Sequence, residues 1–370
     1  MNKTKLSNPV RSIAFFLTAI ILACTFGFTV DGWQDDNDGE NHGGNAVDDN
    51  NVDIGDIENG ENEDEIPDEP TIYIPEYTDR LTGLEISEIE ANARHLAFVF
   101  NPDMPLYGIS MADVICDIPT EDGMKTICFI RESTELWKIG SITSTRGYVS
   151  NIAAFLGGVL VSSGSEDLMA YESCSPLHLV LSAKGGYSYT EQIGNVYTNK
   201  DLITSGLYDA GLSDTKPIVY PLPYTHVAFG EELSLDTMDS AREIRISHSE
   251  DYLTSLKFNE ESGKYSLFSN SLPITEAANG SNIEITNCFV LFADSVTYDN
   301  SSGSQMVMDT VGGGKGYYFV NGVVCPISWT STLGGIMTFY SQSGEKLMIE
   351  RGSIYISFVR SSRMDKVSFQ

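Results

Sequence analysis

Sixteen acidic residues and not one Lys or Arg fall between Asp31 and Pro70. The stretch DGWQDDNDGENHGGNAVDDNNVDIGDIENGENEDEIPDEP is rich in Asn and Gly and poor in aromatic residues. Such a segment cannot bury enough apolar surface to offset its ordering entropy, and its like charges repel. It reads as an extended, disordered tether, so a globular body has to come from the sequence beyond it. A calcium-loop reading fails in the register tested. With Gly39 at the sixth loop position, the first and twelfth fall on Gln34 and Asn45, where acids are needed.

Ahead of the tether, residues 1–30 carry Lys3, Lys5 and Arg11 and no acid. The 18 residues from Ile13 to Val30 hold no charged side chain, and as a helix they would reach about 27 Å. A basic flank before an apolar run marks a targeting segment outside the fold. Three readings stay open. Cys24, after Ile21-Leu22-Ala23, could be a lipidated N-terminus, the segment could be kept as a membrane span, or it could be cleaved and the protein secreted. Lipidation is preferred and secretion is the weakest. All three place the rest of the chain outside the cytoplasm, on the extracytoplasmic face of the cell membrane in the first two cases.

The whole chain carries a net charge of −30, of which the body after Pro70 keeps −17. That balance argues against a nucleic-acid binder, which needs Lys and Arg to neutralise phosphates. The five cysteines of the body, Cys116, Cys128, Cys174, Cys288 and Cys325, include no CxxC pair and no His at ligand spacing, so no metal site is expected. Cys116 and Cys128 lie on two strand-like runs joined by Pro119–Gly123. A hairpin centred on Asp122 would place them opposite each other and allow a disulfide. A slip of one residue abolishes it and leaves two buried thiols, the preferred alternative.

The body divides by texture into an α+β arrangement, with residues 80–215 as a mixed α/β N-terminal domain and 240–365 as a mostly antiparallel β C-terminal domain. In the first, His95–Phe100 is a continuous apolar run. Helices are expected from Ser144, as cap, to Leu156 and from about Asn199 to Ala210. In the second, short strand-like runs alternate with turn signals, and Asn321-Gly322 is a strong hairpin signal. Residues 31–79 are assigned to the linker and 1–30 to the targeting segment.

A set of motifs in fixed order then carries a resemblance. These are Leu81-Thr82-Gly83-Leu84, Gly108–Ile115, Glu121-Asp122-Gly123, Lys138–Arg146, Gly164-Ser165, Asn195–Thr198, Gly312–Tyr318 and Trp329. Over residues 80–362 the chain resembles the YerB-like lipoproteins, a two-part bacterial family of unknown function. The resemblance implies an extracytoplasmic protein with an α/β N-terminal part and a β-rich C-terminal part, and implies no established reaction. This chain is a divergent member. The family pattern usually carries Arg where it has Met104, near Thr126 and at Thr143, His at Ser162 and Gly194, and Arg at Leu267. From that cationic set Arg146 is kept.

No catalytic motif is recognisable. His95, His178, His226 and His248 fit no HExxH pattern, and there is no GxSxG elbow. Gly312–Gly316 lacks the spacing of a phosphate loop and reads as a close backbone approach. Asp113, Asp117, Glu121 and Asp122 form a carboxylate cluster of the kind a glycosidase needs, although a solvated hairpin face explains most of it. Asp113, inside an apolar strand, is expected to pair with Arg146. The expected ligand cleft comprises Asp113, Ser144, Arg146, Ser165 and Asn195, at strand ends beside a helix N-terminus that would draw anions. The reading is a membrane-tethered binding or scaffolding module of the cell envelope, without a cofactor, whose partner is cell-wall glycan or another envelope protein. The alternative is an envelope hydrolase with a carboxylate catalyst.

Overall fold

The computed structural model describes residues 76–164, 178–181, 186–191, 195–213, 228–229, 239–300, 303–332 and 337–370. The targeting segment, the acidic tether, Cys24, Cys174 and Ser165 lie outside the described residues. Residues Thr71–Gln370 form one compact unit. Among the described residues no helix is long and apolar enough to cross a membrane.

The fold is mostly β, with its few α-helices in the N-terminal half: α1 (Glu88–Ala91), α2 (Gly147–Phe155) and α3 (Lys200–Asp209). The N-terminal strands are β1 (His95–Phe100), β2 (Val114–Thr120), β3 (Gly123–Arg131), β4 (Ile139–Ile142), β5 (Gly158–Ser162), β6 (His178–Val180), β7 (Tyr189–Thr190) and β8 (Val196–Thr198). The expected halves share one 14-stranded sheet. The C-terminal strand Ile354–Arg360 lies between β2 and the strand Asn287–Ala293, parallel to both. Strands inside such a sheet are covered on both faces, which is why His95–Phe100 and Asn287–Ala293 are unbroken apolar runs with every residue buried.

A second, six-stranded sheet includes Glu243–Ser247, Leu253–Asn259, Lys264–Ser269 and the C-terminal Val367–Phe369. Glu243–Ser247 alternates between buried and open positions, as a strand with one wet face should. Its Ile244 and Ile246 join Leu256, Tyr265, Phe319 and Tyr355 in one core, while α2 packs through Tyr148, Val149 and Ile152 into the other. Asn321-Gly322 makes the expected tight hairpin turn, with φ of 50° and 77°. Gly313, Gly314 and Gly316 lie in a strand where a Cβ would come within 2.6 Å of a neighbouring carbonyl oxygen, the close backbone approach the sequence suggests.

Two local expectations need correction. The β2–β3 hairpin turns on Glu121 and Asp122, with Thr120 opposite Gly123, so Cys116 faces Ile127 and Cys128 faces Ile115. This one-residue difference rules out the disulfide and leaves the preferred alternative of two buried thiols, Cys116 in one core and Cys128 in the other, both free. Helix α2 begins at Gly147 with Arg146, and not Ser144, as its N-cap.

Candidate functional site

Strand β2 has a charged group at each end, and the expected Asp113–Arg146 pair does not form. The seven residues of β2 lie between Asp113 and Glu121, a separation of about 26 Å at ~3.3 Å per residue step. At the first end, Arg131 donates Nε and Nη2 to the two Asp113 oxygens, both at 2.8 Å. Such a two-pronged pair is the strongest geometry available to these groups. His95 Nε2 stands 3.0 Å from Asp113 Oδ2 and 3.8 Å from Asp79 Oδ2. Asp79 Oδ1 accepts from the Leu81 and Thr82 amides and the Thr82 hydroxyl. Burial works to raise the Asp113 pKa, but hydrogen bonds from His95 and Arg131 outweigh it and hold the carboxyl below its usual value.

Asp79, His95 and Asp113 could offer ligand atoms within 4.8 Å of one another. Arg131 already occupies both Asp113 oxygens, and one Asp79 oxygen holds three donors. A cation would have to displace a guanidinium, so the donor set fits an ion-pair network and not a metal site.

At the other end, the N-terminus of α2 meets the β2–β3 turn. Arg146 Nε donates to Glu121 Oε1 at 2.6 Å, and Nη2 lies 3.4 Å from Asp122 Oδ2. Arg146 Nη1 also donates to the Thr145 carbonyl at 2.9 Å and reaches the Ser144 hydroxyl at 3.5 Å. Tyr148 OH donates to the Pro119 carbonyl, fixing the helix against β2. Ser163 N donates to the Thr143 carbonyl, and a Cβ on Gly164 would come within 3.0 Å of Ser144 Cβ, so the loop after β5 lies directly on Ser144. Ser162 Oγ stands 2.8 Å from His178 Nε2, and burial lowers the His178 pKa to about 4. Asn195 precedes Val196, which pairs with Ile142, so it belongs to these same strand ends.

The structure thus brings Ser144 and Arg146 into one site, leaves Asp113 out, and sets Asn195 one residue before the Val196–Ile142 pair, with Ser144 two residues after it on the other chain segment. Glu121 Oε2 in this site and Asn195 Oδ1 just before β8 are both buried and unpartnered. Sequence reasoning missed Arg131 and His95 as the Asp113 partners, and Asp79 as the second carboxylate facing both of them. It also took Glu121 for a solvated turn residue, whereas only 13% of its side chain is exposed. The signal for Arg131 was the strand pairing itself, since His95 and Arg131 are direct cross-strand neighbours. Asp117 is likewise no solvated group. It is fully buried, and burial raises its pKa despite hydrogen bonds from Thr126 at 2.5 Å and Tyr355 at 2.7 Å.

Comparison with known proteins agrees with the fold. The crystal structure of YerB protein from Bacillus subtilis superposes with a TM-score of 0.66 at 20% identity, covering 80% of this chain and 99% of that one. No curated protein matches the chain. Residues 81–212 match the N-terminal domain, and residues 242–356 the C-terminal domain, of the protein family of unknown function DUF3048. The chain therefore belongs to the two-part DUF3048 family, the YerB-like proteins of bacteria.

Proposed function

We propose that this protein is a binding or scaffolding module of the bacterial cell envelope, held to the membrane by its N-terminal segment and spaced from it by the acidic tether. The tether reading rests on the basic flank, the uncharged run with Cys24, and the acidic spacer that follows. The observation that carries the binding reading is Glu121 Oε2, a buried and unpartnered acceptor beside Arg146, with Asn195 Oδ1 a second such acceptor just before β8. A buried acceptor without a donor is costly, and a ligand rich in O–H and N–H groups relieves it. Cell-wall glycan and its peptides have that chemistry, whereas an anion would add acceptors. Arg146 is already neutralised by Glu121 and Asp122, which also removes the charge an anion would seek.

The hydrolase alternative needs two carboxylates flanking one bond. Asp113 and Glu121 sit at opposite ends of a strand, and Asp117 is sealed in the core. The test is incubation of Thr71–Gln370 with purified peptidoglycan sacculi, following co-sedimentation and release of soluble sugars or peptides. Binding without release, weakened by Asn195→Ala, is the expected result. Fragment release would replace this reading with the hydrolase, and neither binding nor release would direct the search to a protein partner. Metabolic labelling of the full chain with a fatty-acid analogue, with Cys24→Ala as control, tests the anchor.

A further inference from the structure

The edge of the main sheet carries a feature the α2 site does not use. Tyr107 bridges to Gly140, Gly140 opposes Tyr197, and Tyr197 opposes Tyr189. One rung of four chain segments therefore holds three tyrosines and a glycine, and spans roughly 14 Å at about 4.8 Å per spacing. Gly140 is needed there, because its φ is +146° and a Cβ would stand 2.7 Å from Tyr197 Cδ1. Without that side chain, the Tyr107 and Tyr197 rings meet edge to face at 5.7 Å, and Tyr189 follows 5.9 Å from Tyr197. Trp137 closes the row, edge-on to Tyr107 at 6.0 Å. Lys138 Nζ lies 3.9 Å and 4.3 Å from the Tyr107 and Tyr197 ring centroids and 2.7 Å from Glu191 Oε2.

Packing accounts for Tyr197, which is buried, and the Lys138 ammonium accounts for the ring geometry around it. Neither accounts for Trp137, which leaves 62% of its surface in water. A protein-docking surface would surround such a ring with a broad apolar area. Here the companions are half-buried tyrosines and a Lys–Glu pair, and the exposed Leu84, Ile89 and Leu272 belong to other elements. A pyranose ring fits this mixture. One face of it presents C–H groups to the electron-rich ring face, and its rim of hydroxyls meets phenol and carboxylate. The body's charge of −17 disfavours a polyanion.

We infer that Trp137, braced edge-on by Tyr107, and Tyr189 form a stacking platform for the uncharged pyranose units of a polysaccharide, with Glu191 as the polar contact at its margin. This deepens the glycan-binding reading and rests on it, but assigns a surface separate from the α2 site. The test is titration of Thr71–Gln370 with the hexamers of β-1,4-linked N-acetylglucosamine and of β-1,4-linked glucose, read by tryptophan fluorescence and calorimetry. This unit has two tryptophans, and Trp329 is buried, so a surface event reports Trp137. At least one hexamer is expected to give a saturable signal. Trp137→Ala should weaken binding about tenfold or more, Trp137→Phe should restore most of it, and the circular dichroism should stay unchanged. No saturable signal with either hexamer at millimolar concentration, or equal binding by Trp137→Ala, overturns the platform. Sacculi retained alike by the parent and Trp137→Ala would sink the platform and leave the α2 site standing. Hexamer binding without sacculus binding would keep the platform and sink the envelope reading.

Discussion

The two ends of strand β2 carry the same kinds of side chain and do different things. At the Asp113 end each charge is answered: Arg131 grips both Asp113 oxygens, and three donors converge on one Asp79 oxygen. At the Glu121 end Arg146 grips one Glu121 oxygen and leaves the other buried with no donor, and Asn195 Oδ1, just before β8, is in the same state. A closed network specifies and stabilises a fold, whereas an open one keeps hydrogen-bonding capacity for something that arrives later. Under the proposed binding reading, a ligand adds hydrogen bonds at the open end and none at the closed one.

The comparison can be broken most forcefully at the closed end. Arg131→Ala should strand Asp113 and Asp79 in a largely buried pocket and cost about 3–5 kcal/mol, read by denaturant unfolding. A loss below about 1 kcal/mol would mean that water already serves that cluster. At the open end, Arg146→Ala should cost less, about 2 kcal/mol, because Glu121 sits on a turn where water can reach the space left behind. Sacculus binding should fall with it, since Arg146 holds Glu121 in place.

Acid separates the ends without a mutation. Burial lowers the His178 pKa to about 4, against about 6.5 in an unfolded chain. The unfolded state takes up that proton first, so this contribution is complete above about pH 6.5 and is lost as pH falls toward 4, at about 1.4 kcal/mol per unit. Asp113 has the same sign in a more acidic window. Its pKa is depressed, so its contribution is present above the usual carboxylate range and disappears only below it. Stability measured from pH 7 to 5 should therefore decline with a slope that His178→Gln reduces and Asp113→Asn leaves alone. His248, which burial and the nearby Arg360 and Arg363 lower to about 3, adds a parallel slope from the other half of the molecule. The smallest effect concerns the thiols. Alkylation of the denatured, unreduced protein should label both Cys116 and Cys128, since the hairpin register sets them on opposite faces.

Much of the fold was legible because burial writes itself into the chain. Strands covered on both faces are unbroken apolar runs, half-wet strands alternate, and Asn321-Gly322 punctuates its hairpin. Registers were not legible. Whether the β2 turn centres on Asp122 or between Glu121 and Asp122 differs by half a residue along the chain, yet it decides whether two cysteines meet or face apart. The Asp113 partner was hidden for the same reason: Arg131 is 18 residues away and arrives only through the register of the β2–β3 hairpin. The insertion of Ile354–Arg360 beside β2, which joins the halves into one sheet, is a long-range event that no local pattern encodes.

The most direct test of the account pairs Asn195→Ala with Asp113→Asn in sacculus co-sedimentation, each variant checked for folding by circular dichroism. Loss of binding in a folded Asn195→Ala, with binding retained in folded Asp113→Asn, is the result the open-end account predicts. Unchanged binding in Asn195→Ala, or a loss confined to folded Asp113→Asn, would contradict it.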